Sequence, residues 1–196
     1  MSGPPRISAT LHTDPGCPWA YSAIPALRVM EWRYGDGLDW RLVMIGLAED
    51  AGVYAARGYT PAVVAEGHRE FRDRFGMPFD LAPKRHVPGT GRACRAVVAA
   101  RLTRMGAEWA ALRALQLAWF TSPIMLDDDA DLAAVLAGVP GLDGRAVAGR
   151  VGDPATESAY QADRAEARSA AGSPAEAQGK TATTDGPVRF TAPTLV

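Results

Sequence analysis

The sequence predicts an α/β fold interrupted by a helical block, and three observations carry that prediction. An alternating strand over residues 7–13, a helical stretch and a second strand over 38–47 form a right-handed βαβ unit. Consecutive helical segments with no strand between them then fill the middle of the chain, the mark of an inserted helical subdomain. Strand composition returns only over 188–196. The expected divisions are residues 1–50 for the first βαβ half, 51–180 for the helical insertion and 181–196 for the return to the sheet.

In the first strand Ile7, Ala9 and Leu11 alternate with Ser8, Thr10 and His12, and Asp14-Pro15-Gly16 ends it. Tyr21, Ile24, Leu27, Met30 and Tyr34 then recur at helical spacing until Gly35-Asp36-Gly37 stops the helix. In the second strand Trp40, Leu42, Val43, Met44 and Ile45 leave Arg41 as the central polar residue, which predicts burial on both faces. Residues 61–75, 91–105, 107–120, 130–136, 144–151 and 156–171 read as helices. Segment 188–196 has strand composition with Pro193 inside it.

Composition narrows the function. At 196 residues, with 47% apolar and 22% charged side chains, the chain has an ordinary globular balance and enough length for a self-sufficient core. Twenty-one basic against 22 acidic residues leave a net charge of −1, which lacks the footprint of a nucleic-acid binder or a polybasic membrane protein. Two cysteines make no disulfide framework, so a reducing, cytoplasmic compartment is expected. Residues 1–6 precede no apolar run of a secretory signal. The longest nearly uncharged stretch, 114–126, is too short to cross a bilayer.

The chemistry concentrates in Asp14-Pro15-Gly16-Cys17-Pro18-Trp19-Ala20-Tyr21. Pro18 suits a first helical turn, which sets Cys17 at a helix N-terminus. Unpaired N–H groups there favour an anion, so a lowered thiol pKa and a nucleophilic thiolate are expected. The competing reading is a small buried hydrophobe. Location at the carboxyl end of the first strand weighs toward function. Trp19 is expected to be partly exposed and to meet substrate, and Tyr21 to lie in the core.

These residues resemble the DsbA-like branch of the thioredoxin superfamily, a group that includes kappa-class glutathione transferases and hydroxychromene carboxylate isomerases. Cys17-Pro18-Trp19-Ala20 stands where that family has Cys-x-x-Cys, and Pro25 matches the proline that kinks its active-site helix. A helical insertion and an Ala192-Pro193 pair resembling the family's cis-proline loop follow in the family's order. The resemblance implies a thioredoxin-like sheet with an inserted helical subdomain, and thiol–disulfide exchange with Cys17 as nucleophile. It implies that Pro18, Trp19, Thr191, Ala192 and Pro193 contact the substrate or cosubstrate.

Ala20 replaces the family's second cysteine, so no disulfide closes within the motif. A mixed disulfide resolved by a low-molecular-weight thiol (glutathione or mycothiol) is expected, with no tightly bound cofactor. The alternative is a glutathione- or mycothiol-dependent transferase or isomerase, although those relatives typically carry serine at the position of Cys17. A binding module without chemistry is the third reading. The family's further strand and covering helix have no counterpart after Val196, so a missing C-terminus is expected. Partners are a protein or small-molecule thiol or disulfide, with no nucleic acid or membrane; the oligomeric state is open, a homodimer included.

Other candidates are weaker. Cys94 as a resolving thiol competes with a buried helix–helix contact, which is favoured. Arg92 and Arg95 either support a thiolate or cover a solvated helix face. His12 ends the first strand beside Asp14, where packing is the commoner role. Asp127, Asp128, Asp129 and Asp131 precede an apolar run and read as the acidic first turn of a helix, not a metal cluster. His68 and His86 have no partner at metal-ligand spacing, so no metal site is expected.

Overall fold

Strands β1 (Ile7–Thr13) and β2 (Leu38–Met44) lie side by side and parallel, Ile7 opposite Leu38 and Thr13 opposite Met44. The computed structural model describes residues 6–183 and 185–196; residues 1–5, read above for a leader, and Thr184 lie outside the described residues. The parallel pair is joined by α1 (Pro18–Ser22), α2 (Ile24–Tyr34) and a 3-10 turn, Gly35–Gly37. The single helix expected over this stretch is broken at Ala23. Pro25 lies in the first turn of α2 and has no N–H to continue the ladder from α1.

Burial on both faces of β2 holds only in its C-terminal half. Leu38 to Arg41 are exposed or half-buried, whereas Leu42, Val43 and Met44 are buried. Leu42 and Met44 join Leu11 and Tyr21 in the main core, and Val43 and Ile45 pack with Ala167 on the other side. The outer edge of β2 is not left open. Met44 N–H donates to Asp163 at 3.0 Å, and Arg101 donates to the Leu42 carbonyl at 3.1 Å. Side chains from two helices thus satisfy backbone groups that an unpaired edge would leave to a wrong partner.

Between β2 and the next strand run α3 (Ala51–Ala55), α4 (Pro61–Phe75), α5 (Gly91–Thr103), α6 (Ala107–Thr121), α7 (Asp129–Ala137), α8 (Gly144–Gly149), α9 (Pro154–Ala167) and α10 (Pro174–Ala177). The short α3 and α10 have no counterpart among the helices expected from periodicity. Helix α5 is the axis of this block: Ala93, Cys94, Ala96, Val97, Val98, Ala99 and Ala100 are buried, and its small side chains let α6 and α9 approach closely. Asp128 caps α7 by accepting from the N–H groups of Ala130 and Asp131, so the acidic run serves a helix start.

The C-terminal segment holds three short strands. A hairpin pairs β3 (Thr181–Ala182) with β4 (Arg189–Phe190), and β5 (Thr194–Leu195) then crosses to pair antiparallel with β1. Between them the Ala192–Pro193 bond is cis. The main sheet therefore has the order β2-β1-β5. Among the described residues, no helix is long and apolar enough to cross a membrane.

Candidate active site

The loop from β1 to α1 begins with Asp14, a fully buried carboxylate. Its Oδ1 accepts from Gly16 N–H at 2.8 Å; its Oδ2 accepts from Leu47 N–H and Thr90 Oγ1, each at 2.8 Å. Cys94 Sγ lies 3.5 Å from the same Oδ2, and Gln116 reaches the Asp14 carbonyl at 3.4 Å. One side chain thereby ties the end of β1 to the end of β2 and the start of α5. Burial raises the Asp14 pKa, and these donors oppose the shift. Gly16 is required by space: a Cβ there would stand 2.5 Å from the Thr90 methyl.

Cys17 follows as the N-cap of α1, its backbone extended (φ −86°, ψ 116°), with Pro18 opening the helix. Its Sγ donates to the Ala192 carbonyl at 3.2 Å, which brings the two ends of the chain together. The expected lowering of the thiol pKa is reversed. Burial pushes the Cys17 thiol up to about 12, and the charge of Asp14 adds to this; the N–H groups of Ala20 and Trp19 and the Arg189 guanidinium pull the other way. A helix start of five residues does not outweigh the desolvation of a side chain only 4% exposed.

In front of the thiol lies a cavity of about 360 Å³. Cys17, Pro18 and Trp19 form part of its wall; α3 and the following loop contribute Tyr54, Arg57 and Tyr59, and α4 contributes Val63, His68 and Phe71. Arg189 from β4 also lines it. Trp19 is 47% exposed and meets Phe71 and Phe75 edge-on at 4.8 and 5.6 Å, with the Arg74 guanidinium 5.2 Å from its ring. Tyr21 is fully buried between Phe79 and Phe120, and its hydroxyl donates to the Pro78 carbonyl at 2.9 Å.

Of the other residues singled out in the sequence, Ala192 reaches the thiol through its carbonyl. Pro193 follows it, and Thr191 braces the turn: its N–H donates to Lys180 O at 3.0 Å and its carbonyl accepts from Thr194 Oγ1 at 2.7 Å. Cys94 is fully buried against Asp14, and both cysteines are free thiols. Arg92 pairs with Asp129, and Arg95 is held between Glu49 and Glu157, so both are committed to ion pairs. His12 packs against Phe190, their ring centroids 4.1 Å apart and the planes tilted by 30°. His86 pairs with Asp127 at 2.7 Å. Among the described residues no three His, Cys, Asp or Glu side chains form a group able to hold a metal.

Sequence reasoning missed Asp14, Thr90, Tyr54 and Arg57 as parts of this site. Asp14 reads as a turn residue in Asp-Pro-Gly. The available signal for α3 is Asp50, which caps it by accepting from Gly52 N–H at 2.8 Å.

This architecture is the DsbA-like thioredoxin fold: a small mixed sheet, a cysteine at the β1–α1 junction and a block of helices inserted after β2. Among solved structures, the chain is similar to a candidate protein disulfide isomerase from Nitrosomonas europaea (TM-score 0.69, 16% identity, 89% of this chain and 80% of that one). It is also similar to the cytosolic disulfide reductase DsbM from Pseudomonas aeruginosa with GSH (TM-score 0.62, 20% identity, 96% and 85%). A third similar structure is a 2-hydroxychromene-2-carboxylate isomerase (TM-score 0.57, 16% identity, 97% and 85%). No family model matches the chain, and no curated protein sequence does.

Proposed function

We propose that this protein is a DsbA-like thiol–disulfide oxidoreductase acting through Cys17 alone. The observation that carries the reading is the Cys17 Sγ, held 3.2 Å from the Ala192 carbonyl at the wall of an open cavity. The Cys17 thiolate attacks one sulfur of a disulfide, the substrate's S–S bond breaks, and the leaving thiolate takes a proton from solvent. A low-molecular-weight thiol, glutathione or mycothiol, then attacks the mixed disulfide and frees Cys17. Ala20 at the second motif position requires that external thiol. Pro18 and Trp19 bound the substrate on one side and Ala192 and Pro193 on the other, with Thr191 holding the turn. Two free cysteines support a reducing, cytoplasmic setting.

Intact-mass spectrometry after incubation with a small disulfide tests this. A mass gain of one thiol moiety is expected on the wild type and on Cys94→Ala, and none on Cys17→Ser. A Cys17→Ser protein with full activity overturns the reading.

The raised pKa of Cys17 favours one alternative, a glutathione- or mycothiol-dependent transferase or isomerase in which the cofactor's thiol does the chemistry. Saturable binding of the small thiol with no mixed disulfide identifies that case.

A further inference from the structure

The small thiol that resolves the mixed disulfide must lose its proton in a cavity walled mainly by aliphatic and aromatic side chains, where burying a charge is costly. Of the described residues lining that cavity, the titratable ones are Cys17, Tyr54, Arg57, Tyr59, His68 and Arg189. Tyrosine and arginine keep their protons at neutral pH, and burial raises the Tyr54 pKa further. The Asp14 carboxylate is engaged by Gly16, Leu47 and Thr90 and is not among the described lining residues. That leaves the His68 imidazole, besides the thiol itself, as the group that can take a proton there and give it up again.

His68 stands on α4, only 4% exposed, its ring 5.2 Å from Phe79 and 5.4 Å from Phe120 between centroids. Its Nδ1 lies 3.4 Å from the Asp80 carbonyl, which can only accept, so Nδ1 carries the proton. In the neutral ring Nε2 is then the acceptor, and no described residue donates to it. Burial lowers the His68 pKa; the Asp80 carbonyl and carboxylate oppose the shift and the Lys84 ammonium adds to it, so the ring is neutral at pH 7. The charged or titratable groups around it are Asp80, Lys84 and His86 after α4, Tyr54, Arg57 and Tyr59 from α3 and its flank, Cys17, and Arg189 from β4. Helix α6 meets the ring with Phe120.

We infer that His68 is a further catalytic residue, its Nε2 taking the proton of the small thiol that resolves the mixed disulfide on Cys17. The inference rests on the proposed thiol–disulfide exchange and adds the base of its second half. The S–H proton of the small thiol passes to Nε2, and its sulfur bonds to the substrate-derived sulfur. The S–S bond to Cys17 breaks, and Cys17 departs with the electron pair. His68 then releases its proton to solvent and Cys17 takes one up, so one proton is removed and one returned.

The test uses Cys94→Ala protein whose Cys17 has first been glutathionylated with glutathione disulfide. Its return to the thiol by glutathione, kept below saturation, is followed from pH 6 to 9.5 by intact mass after acid quench. With a neutral base in the cavity the thiol itself is the reactant, so the rate is expected to vary by less than about threefold between pH 7 and 8.5. In His68→Asn, whose amide can still donate to the Asp80 carbonyl, the reactant is the glutathione thiolate. The rate is then expected to be about a hundredfold lower at pH 7, to climb about tenfold per pH unit and to meet the parent rate near pH 9. A thermal melt verifies that the variant stays folded.

A parent rate that climbs about tenfold per pH unit overturns the inference. So does a His68→Asn protein that loses nothing, or that loses the same factor at every pH, which is the mark of a merely structural histidine. If His68→Asn does not fold, the parent profile decides alone: a flat one supports the inference and a steep one overturns it. Each of these outcomes leaves the exchange chemistry standing. If glutathione disulfide never labels Cys17, the exchange reading fails and the inference with it.

Discussion

The Asp14 carboxylate accepts the Thr90 hydroxyl at 2.8 Å across 76 positions of sequence, and it does so three residues before the candidate nucleophile. Thr90 precedes α5, so the inserted helical block is fastened to the active-site loop through a buried, charge-assisted hydrogen bond. Thr90→Val keeps the volume and removes the donor, leaving Asp14 with three partners in place of four. A loss of about 1–3 kcal/mol is expected, measured by urea unfolding. An unchanged unfolding midpoint would show that the bond holds nothing.

The same carboxylate acts on Cys17 by charge. Burial is the larger cause of the raised thiol pKa, so alkylation by iodoacetamide is expected to be slow at pH 7 and to climb about tenfold per pH unit without a plateau below pH 10. Asp14→Asn removes the negative charge and shifts this profile to lower pH. A wild-type plateau near pH 8, or a profile moved upward by Asp14→Asn, contradicts the account.

The βαβ start, the helical block and the position of Cys17 were legible because their signals are local: alternation, helical spacing, and a proline after a cysteine. The Ala192–Pro193 pair was legible through resemblance. What escaped depends on tertiary contact. Asp14 satisfies a turn pattern on its own, and its partners Leu47, Thr90 and Cys94 come from three other parts of the chain. Tyr54 and Arg57 belong to α3 and its flank, and a five-residue helix is too short to display a period. The direction of the Cys17 shift failed for the same reason. A helix N-terminus can be read from Pro18, whereas burial is a property of the assembled fold.

Histidine 12 supplies a pH dependence independent of the thiol. Its ring is buried against Phe190, and desolvation lowers its pKa to about 4, although Glu166 at 3.8 Å pulls upward; Arg41 adds to the lowering. The unfolded chain protonates this histidine near pH 6.5, earlier than the folded one does. Its contribution to stability is therefore complete above pH 6.5 and is lost as pH falls toward 4, by about 3 kcal/mol in total. Urea unfolding of wild type and His12→Leu at pH 7.5, 6 and 4.5 checks this. The wild type should lose more stability than the variant across that window; parallel declines would remove His12 as the cause.

Gly16 offers a test of how tightly the active-site loop is packed on the insertion. In Gly16→Ala the new methyl meets Thr90 Cγ2 at 2.5 Å, closer than two carbons tolerate, and a cost of about 1–3 kcal/mol follows from overpacking. Thr90→Ser removes that methyl and keeps the hydroxyl that Asp14 accepts. The double variant should accordingly recover most of the loss, giving a favourable coupling in the double-mutant cycle. Iodoacetamide labelling of Cys17 in the same four proteins separates packing from reactivity, because a displaced loop weakens the contact between Sγ and the Ala192 carbonyl. Gly16→Ala should label faster than wild type, and the double variant should return toward the wild-type rate. Additive stabilities would mean that the two residues do not press on each other.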